Sequence, residues 1–487
     1  MGLRRQTLWS MAPLLVVTVL NLVSVPLFYR FLGPEMYALW FYVLTLTTSF
    51  GFADLGLGVA VGRYVGVELG RGDLEAARGY WATGNVVAIP LLALMAGAFI
   101  AIGTIFGPGW FNVTPEQVPV LQWSFVAAGI GAFFAFYGQF WNILAQVNLD
   151  FKFVGLLRVV LGVLQVGVSV ALAWWTRNAF VLVAWTTLLS VVQLIILMLH
   201  ANERYRFGIH WRLARLARAR DMVGYTTKTF FSLLVNSVLG GLDRLALGKL
   251  ALPVDFAHYT ICSNVGIRIS GLSVSIMGPV FGQSSRAVGA GGKMKTAAIY
   301  EEAFDLIFGW LVLLSVWSIV WKHLLLQLWL GPSLGSVIEP LLPPIIAAYC
   351  LTAVSNVSGA QLGPLNRLGA GLIISIFAGV LVALCVYLGW QWGGIVGVAY
   401  GFLVSRFAFL AQDLFVIRLI GAKGWLDASR WLHLLVQIAI GVGFWFLVQA
   451  AHLPLLVQVW LALLHGGVVA AWLTRKDLAA WLTTLRR

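Results

Sequence analysis

The chain has 487 residues, of which 60% are hydrophobic and only 10% charged. A soluble domain carries about 25% charged residues, so this composition excludes a water-soluble globular protein and makes lipid the solvent for most of the chain. The net charge of +14 raises nucleic acid as a partner, but nearly all basic residues fall in alternate loops, the positive-inside pattern of membrane topology, and no nucleic-acid role is expected.

A helix needs about 20 apolar residues to cross the hydrocarbon core. On that ruler the chain is predicted to be all-α and polytopic, with roughly 14 spans near 9–29, 36–62, 82–106, 121–147, 154–175, 178–199, 224–250, 257–283, 300–325, 339–364, 368–389, 393–417, 430–449 and 455–473. Arg4 and Arg5 precede the first run. That run is too long for a signal peptide and lacks a small-x-small cleavage site, so it reads as a retained helix. Arg30, Arg177, Lys249 and Lys322 are left in the opposite loops, which puts both termini in the cytoplasm.

The second span ends in a glycine-rich stretch holding Asp54, followed by Arg63. These two are candidates for a gate pair or an ion-coupling site, with plain helix packing as the alternative. Asn112-Val113-Thr114 matches a glycosylation acceptor triplet, a common pattern. In the fourth span Gln139, Asn142 and Gln146 recur at i, i+3 and i+7, on one helix face. They serve either interhelical hydrogen bonding or a polar path. Amides both donate and accept, which suits sugar hydroxyls. Thr176-Arg177-Asn178 makes a tight hairpin between the fifth and sixth spans.

Residues 201–223 carry Arg204, Arg206, Arg212, Arg215, Arg218 and Arg220. If helical, Ile209, Leu213 and Leu216 share a face, so this linker reads as amphipathic, lying on an anionic leaflet, or as topology signal alone. Beyond it, Leu233–Leu239 repeats Leu14–Leu20 at five of seven positions. We read an internal duplication: a six-helix lobe over 1–200, the linker 201–223, a second six-helix lobe over 224–420, and two additional helices with a tail over 421–487. An even number of spans per repeat implies a pseudo-two-fold along the membrane normal, with substrate between the lobes.

Charges inside spans are expensive and usually face a protein interior or wet cavity. Asp243 with Arg244, then Arg268, then Arg406 with Asp413 stand out. Arginine suits phosphate, because its planar fork donates bidentately and stays charged. Arg244, Arg268 and Arg406 are therefore candidates to hold an anionic phosphate or pyrophosphate head. The alternatives are pairing of Arg244 with Asp243, outward snorkelling of Arg244, and neutralisation of Arg406 by Asp413. Asp54, Asp243 and Asp413 are equally candidates for proton or sodium coupling. Cys262, Cys350 and Cys385 have no metal-ligand spacing. No Walker motif or nucleophile–base pair is present, so no enzyme, cofactor or metal is expected.

Three stretches carry a resemblance. They are Phe52-Ala53-Asp54-Leu55-Gly56-Leu57 with Arg63, Leu242-Asp243-Arg244-Leu245-Ala246-Leu247-Gly248, and Leu365-Asn366-Arg367-Leu368-Gly369. Together they resemble the polysaccharide-transporter, O-antigen flippase type, branch of the multidrug/oligosaccharidyl-lipid/polysaccharide exporter superfamily. That resemblance implies two six-helix lobes around a V-shaped cavity and outward flipping of undecaprenyl-pyrophosphate-linked sugars by alternating access at the inner membrane. Asp243 and Arg244 then match the family's Asp-Arg pair, and Asp54 its second-helix acid. Arg268 and Arg406 match no motif. The implied partners are a polyprenyl-(pyro)phosphate-linked glycan, membrane lipids and the glycan polymerase or export machinery. The competing expectations are a cation-coupled small-molecule exporter and, against the short outer loops, a membrane glycan polymerase.

Overall fold

The computed structural model describes residues 3–485 apart from 51–56, 149, 224–225, 228–233, 235–239, 290–292, 366 and 452–453. All regular structure among the described residues is helical. Eight helices there are long and apolar enough to cross a membrane, and Leu455–Ala470 is a shorter apolar one. The chain divides into two compact units, Met1–Ala257 and His258–Arg487.

The first unit opens with α1 (Leu3–Ser49), broken at Gly33, whose φ of 76° only glycine adopts cheaply. The break separates the first and second expected spans. Then follow α2 (Leu57–Arg71), α3 (Leu74–Trp110), α4 (Val118–Val147), α5 (Phe151–Thr176) and α6 (Ala179–Tyr205). Side-chain caps set the ends of three of them: Asp73 accepts from the Ala76 amide, Asp150 from Phe153 and Asn178 from Phe180, satisfying amides a helix start leaves open. Arg177 turns left-handed between α5 and α6, so the predicted tight hairpin is present. Helix α4 packs against α3 and α6, and α5 against α1. Trp81, Tyr137, Phe140, Trp141, Leu144 and Leu197 fill the core. Tyr137 donates to Asn85 Oδ1 at 2.7 Å, which keeps a buried amide satisfied in an apolar setting.

Helix α7 (Leu242–Leu250) closes this unit against α1. Lys249 Nζ donates to the Gly109 carbonyl at 2.8 Å, and Trp110 Nε1 to Leu245 O at 3.0 Å. The Asn112 amide donates to the carbonyls of Lys249 and Ala251. The acceptor-like triplet therefore holds a structural clamp.

Helix α8 (Pro253–Gly289) begins at the boundary and leads into the second unit. There α9 (Lys293–Val320), α10 (Lys322–Leu330), α11 (Pro332–Ile338), α12 (Leu342–Leu362), α13 (Leu368–Arg406) and α14 (Phe409–Ile420) follow. Helix α13 is two antiparallel arms joined at Gly393–Gly394. The arms touch backbone to backbone: a Cβ on Gly397 would stand 1.9 Å from Gly389 O, and one on Gly401 2.2 Å from Cys385 O. Small residues permit such an approach in a bilayer. Tyr300, Phe304, Phe308, Val354, Val357, Val416 and Ile417 form the core.

Helices α15 (Ala428–Ala451) and α16 (Leu455–Leu485) complete the unit. They are tied down by specific bonds. Arg430 bridges Asp305 at 2.6 Å and also pairs with Glu301 on α9. Trp317 Nε1 donates to Ala462 O at 2.8 Å, and Trp321 Nε1 to His465 Nδ1 at 3.1 Å.

Candidate functional site

Within the first unit a cavity of about 400 Å³ lies among α1, α4, α5 and α6. Its polar lining is Gln139 and Asn142 from α4, Arg158 and Gln165 from α5, and Thr186, Ser190 and Gln193 from α6. Val17, Leu157, Leu161 and Leu189 supply apolar wall. The volume lies in the range of small-molecule pockets, which pair apolar walls with a few placed polar groups.

Helical spacing explains the assembly. Arg158 and Gln165 are seven apart, and Thr186, Ser190 and Gln193 stand at i, i+4 and i+7, so each helix offers one polar stripe. Asn142 Nδ2 donates to Gln139 Oε1 at 3.3 Å, and Gln165 Nε2 to Thr186 Oγ1 at 2.8 Å. Asn142 is 5% exposed, while Gln139 and Arg158 are exposed. None of the described lining residues is acidic. An amide-and-hydroxyl surface with one guanidinium can bind hydroxyl-rich neutral groups and a single anionic group. It offers no carboxylate to a cation.

The sequence singled out Gln139 and Asn142, and the structure brings them together with five further polar residues. The same helix-face rule applied to α5 and α6 would have found Gln165, Thr186, Ser190 and Gln193. Arg158 reads in sequence as a loop-side charge.

The other expected site residues are spread over the chain. Asp54 lies outside the described residues, and Arg63 is on α2 with its side chain outside them. Asp243 is fully buried on α7, whereas Arg244 is half-buried, with its Nη2 3.5 Å from Gly240 O. In the second unit Arg268 is half-buried along α8. Arg406 is 7% exposed at the break between α13 and α14, with its guanidinium 4.1 Å from the Phe402 ring centre and 5.7 Å from that of Phe409. Both distances fit cation–π contact. Around it the backbone tightens: Phe407 N donates to Val404 O and Ala408 N to Ser405 O. Asp413 is fully buried, and its Oδ2 accepts from Ser355 Oγ and Trp425 Nε1, both at 2.7 Å.

Solved structures share this architecture. The chain is similar to the lipid II flippase MurJ in an inward closed conformation, at 10% identity and TM-score 0.68, covering 95% of this chain and 100% of that one. It is similar to an inward-facing multidrug resistance MATE transporter of the MOP superfamily at 18% identity and TM-score 0.66, covering 83% and 94%. A point mutant of the Vibrio cholerae MATE transporter VcmN matches at 14% identity and TM-score 0.65, covering 88% and 98%. No curated protein matches the chain by sequence. The fold is thus the one these MATE transporters and the MurJ flippase share. Residues 3–285 match the model of the polysaccharide biosynthesis protein family, and the chain belongs to that family.

Proposed function

We propose that this protein flips a polyprenyl-(pyro)phosphate-linked oligosaccharide across the inner membrane by alternating access, for surface polysaccharide biosynthesis such as O-antigen. The observation that carries this reading is the cavity of amides and hydroxyls around Gln139, Asn142, Gln165 and Gln193, in a chain of the polysaccharide biosynthesis family. Those groups match sugar hydroxyls as donors and acceptors. Arg244, Arg268 and Arg406 meet the (pyro)phosphate, the prenyl tail stays in lipid, and both termini lie in the cytoplasm. Asp54 with Arg63, Asp243 and Asp413 remain the gate or ion-coupling residues of this scheme. Glycan polymerase or export machinery would stand downstream.

The MATE-type fold supports a second reading, export of a small molecule coupled to cations. The acid-free lining of the cavity favours the glycan. Charge-removing Arg268→Ala and Arg406→Ala variants, expressed at wild-type level, test the proposal through surface glycan. It predicts that both lose export. Normal export from both would remove the anion clamp.

A further inference from the structure

The basic segment after α6 is a docked platform. Arg206 turns left-handed at φ 58°, and Phe207 enters the core at 1% exposure, edge-on to Trp81. Arg78 Nε donates to Arg206 O at 3.1 Å, and the Arg215 amide to Thr83 Oγ1 at 3.1 Å. Arg218 Nη1 donates to Leu213 O at 3.0 Å, and its guanidinium lies over Tyr80. Tyr80 and Tyr64 hydroxyls donate to the side chain and carbonyl of Asp221. Met222 is buried.

With its backbone so fixed, the segment turns other groups outward. Trp211 is 52% exposed and Leu216 81%, and Arg212, Arg215 and Arg220 are exposed. A crevice of about 510 Å³ opens between Arg78, His210, Trp211 and Arg212, with Ile209 and Leu213 as its apolar wall. It sits beside the first turns of α3 and the last turn of α6, where two apolar spans end.

We infer that this crevice binds the phosphate headgroup of an anionic phospholipid, with Arg78 and Arg212 on the phosphate and Trp211, Ile209 and Leu213 against the glycerol and upper acyl chain. Guanidinium groups give the charge complementarity. A tryptophan at the rim belongs at headgroup depth, and the apolar wall of Ile209 and Leu213 beside the arginines matches a headgroup that continues into glycerol and acyl chain. A soluble phosphate would use the arginines and leave that wall in water. The inference is independent of the transported cargo.

The full-length protein in phosphatidylcholine nanodiscs doped with photo-crosslinkable phosphatidylglycerol tests this. Labelling should map to peptides covering 206–216. In Arg78→Gln/Arg212→Gln it should fall about 30-fold, since each basic group near the surface adds about fivefold in lipid affinity. Arg212→Gln alone, which leaves the Arg78–Arg206 bond intact, should fall by several-fold. Arg177→Gln, at the far end of α5, should label as the wild type does. Unchanged labelling in both crevice variants, or loss of labelling on adding inorganic phosphate, would overturn the lipid site. Labelling that instead follows an acidic soluble peptide would assign the surface to a protein partner and overturn it equally.

Discussion

Gln165 and Thr186 face each other across α5 and α6, with Gln165 Nε2 donating to Thr186 Oγ1 at 2.8 Å. Thr186 Oγ1 in turn donates to Leu182 O at 2.9 Å, so its hydroxyl both accepts and donates. Gln165 Nε2 also lies 3.5 Å from Ser169 Oγ on its own helix. Replacing Gln165 by Leu should cost about 0.6 kcal/mol of stability, the typical worth of one such bond in a membrane. Export should fall further than that loss explains. Thermal unfolding in detergent beside surface glycan levels separates the two effects, and equal small losses in both would make Gln165 purely structural.

Gln139→Leu/Asn142→Leu removes two amides from one face of α4 while keeping size. Each neutral hydrogen bond contributes about 0.5–1.5 kcal/mol net. Glycan export should therefore drop about tenfold, with the protein folded and abundant. Full export from this variant would leave the cavity without a role in cargo binding.

Arg406 stacks on Phe402 at 4.1 Å. Lysine keeps the charge but loses the planar fork and most of the stacking. Arg406→Lys should accumulate normally and export poorly, and Arg406→Gln should export no better. Wild-type export from Arg406→Lys would mean that charge alone suffices there.

In the turn before α12, Glu339 sits with Lys322 at 3.3 Å and His323 at 2.9 Å. Burial works to raise its pKa, but the His323 hydrogen bond and the Lys322 charge outweigh it and hold the carboxyl below its ordinary value. A depressed folded-state pKa stabilises above the unfolded value, and that contribution is lost as pH falls through the folded one. Glu339→Gln should thus lower the melting temperature slightly near neutrality, by less than about 1 kcal/mol. The gap to wild type should close in acid. A gap that widens on acidification would contradict the sign.

Gly397→Ala would place a methyl 1.9 Å from the Gly389 carbonyl. Backbone cannot yield as a side-chain tip does, so the two arms must part, at a cost of about 1–3 kcal/mol or more. Folded yield should fall several-fold by size-exclusion profile. Gly393→Ala, with nothing within 4 Å of the added carbon, should behave as the wild type.

Much of this architecture is written in local composition. Runs of apolar residues located the eight membrane-length helices found among the described residues, Thr176-Arg177-Asn178 marked a hairpin, and Gly393-Gly394 fell between the two arms of α13. The break at Arg406–Ala408 carries no Gly or Pro, so nothing local announced it. Asp413 looked like a counter-ion for Arg406 two turns away. Its observed donors, Ser355 and Trp425, come from α12 and the turn before α15, a tertiary arrangement that no spacing rule reaches. Gln139 and Asn142 of the α4 stripe were legible because amides interrupt an apolar run there; the side chain of Gln146 lies outside the described residues. The stripes of α5 and α6 mix Arg, Gln, Thr and Ser among many more apolar neighbours, and became a lining only once the helices met. The pairing of Arg430 with Glu301 and Asp305 likewise required the fold.

The contact of Gly389 with Gly397 also bears on how the chain can be cut and tagged. Two arms that share a backbone seam have no independent life as separate hydrophobic segments. Split-protein fragments or fusion junctions that end at 393 would part the two halves of that seam, whereas junctions before 368 or after 420 would leave it whole. Topology mapping by truncation should accordingly misreport any end point placed between these arms.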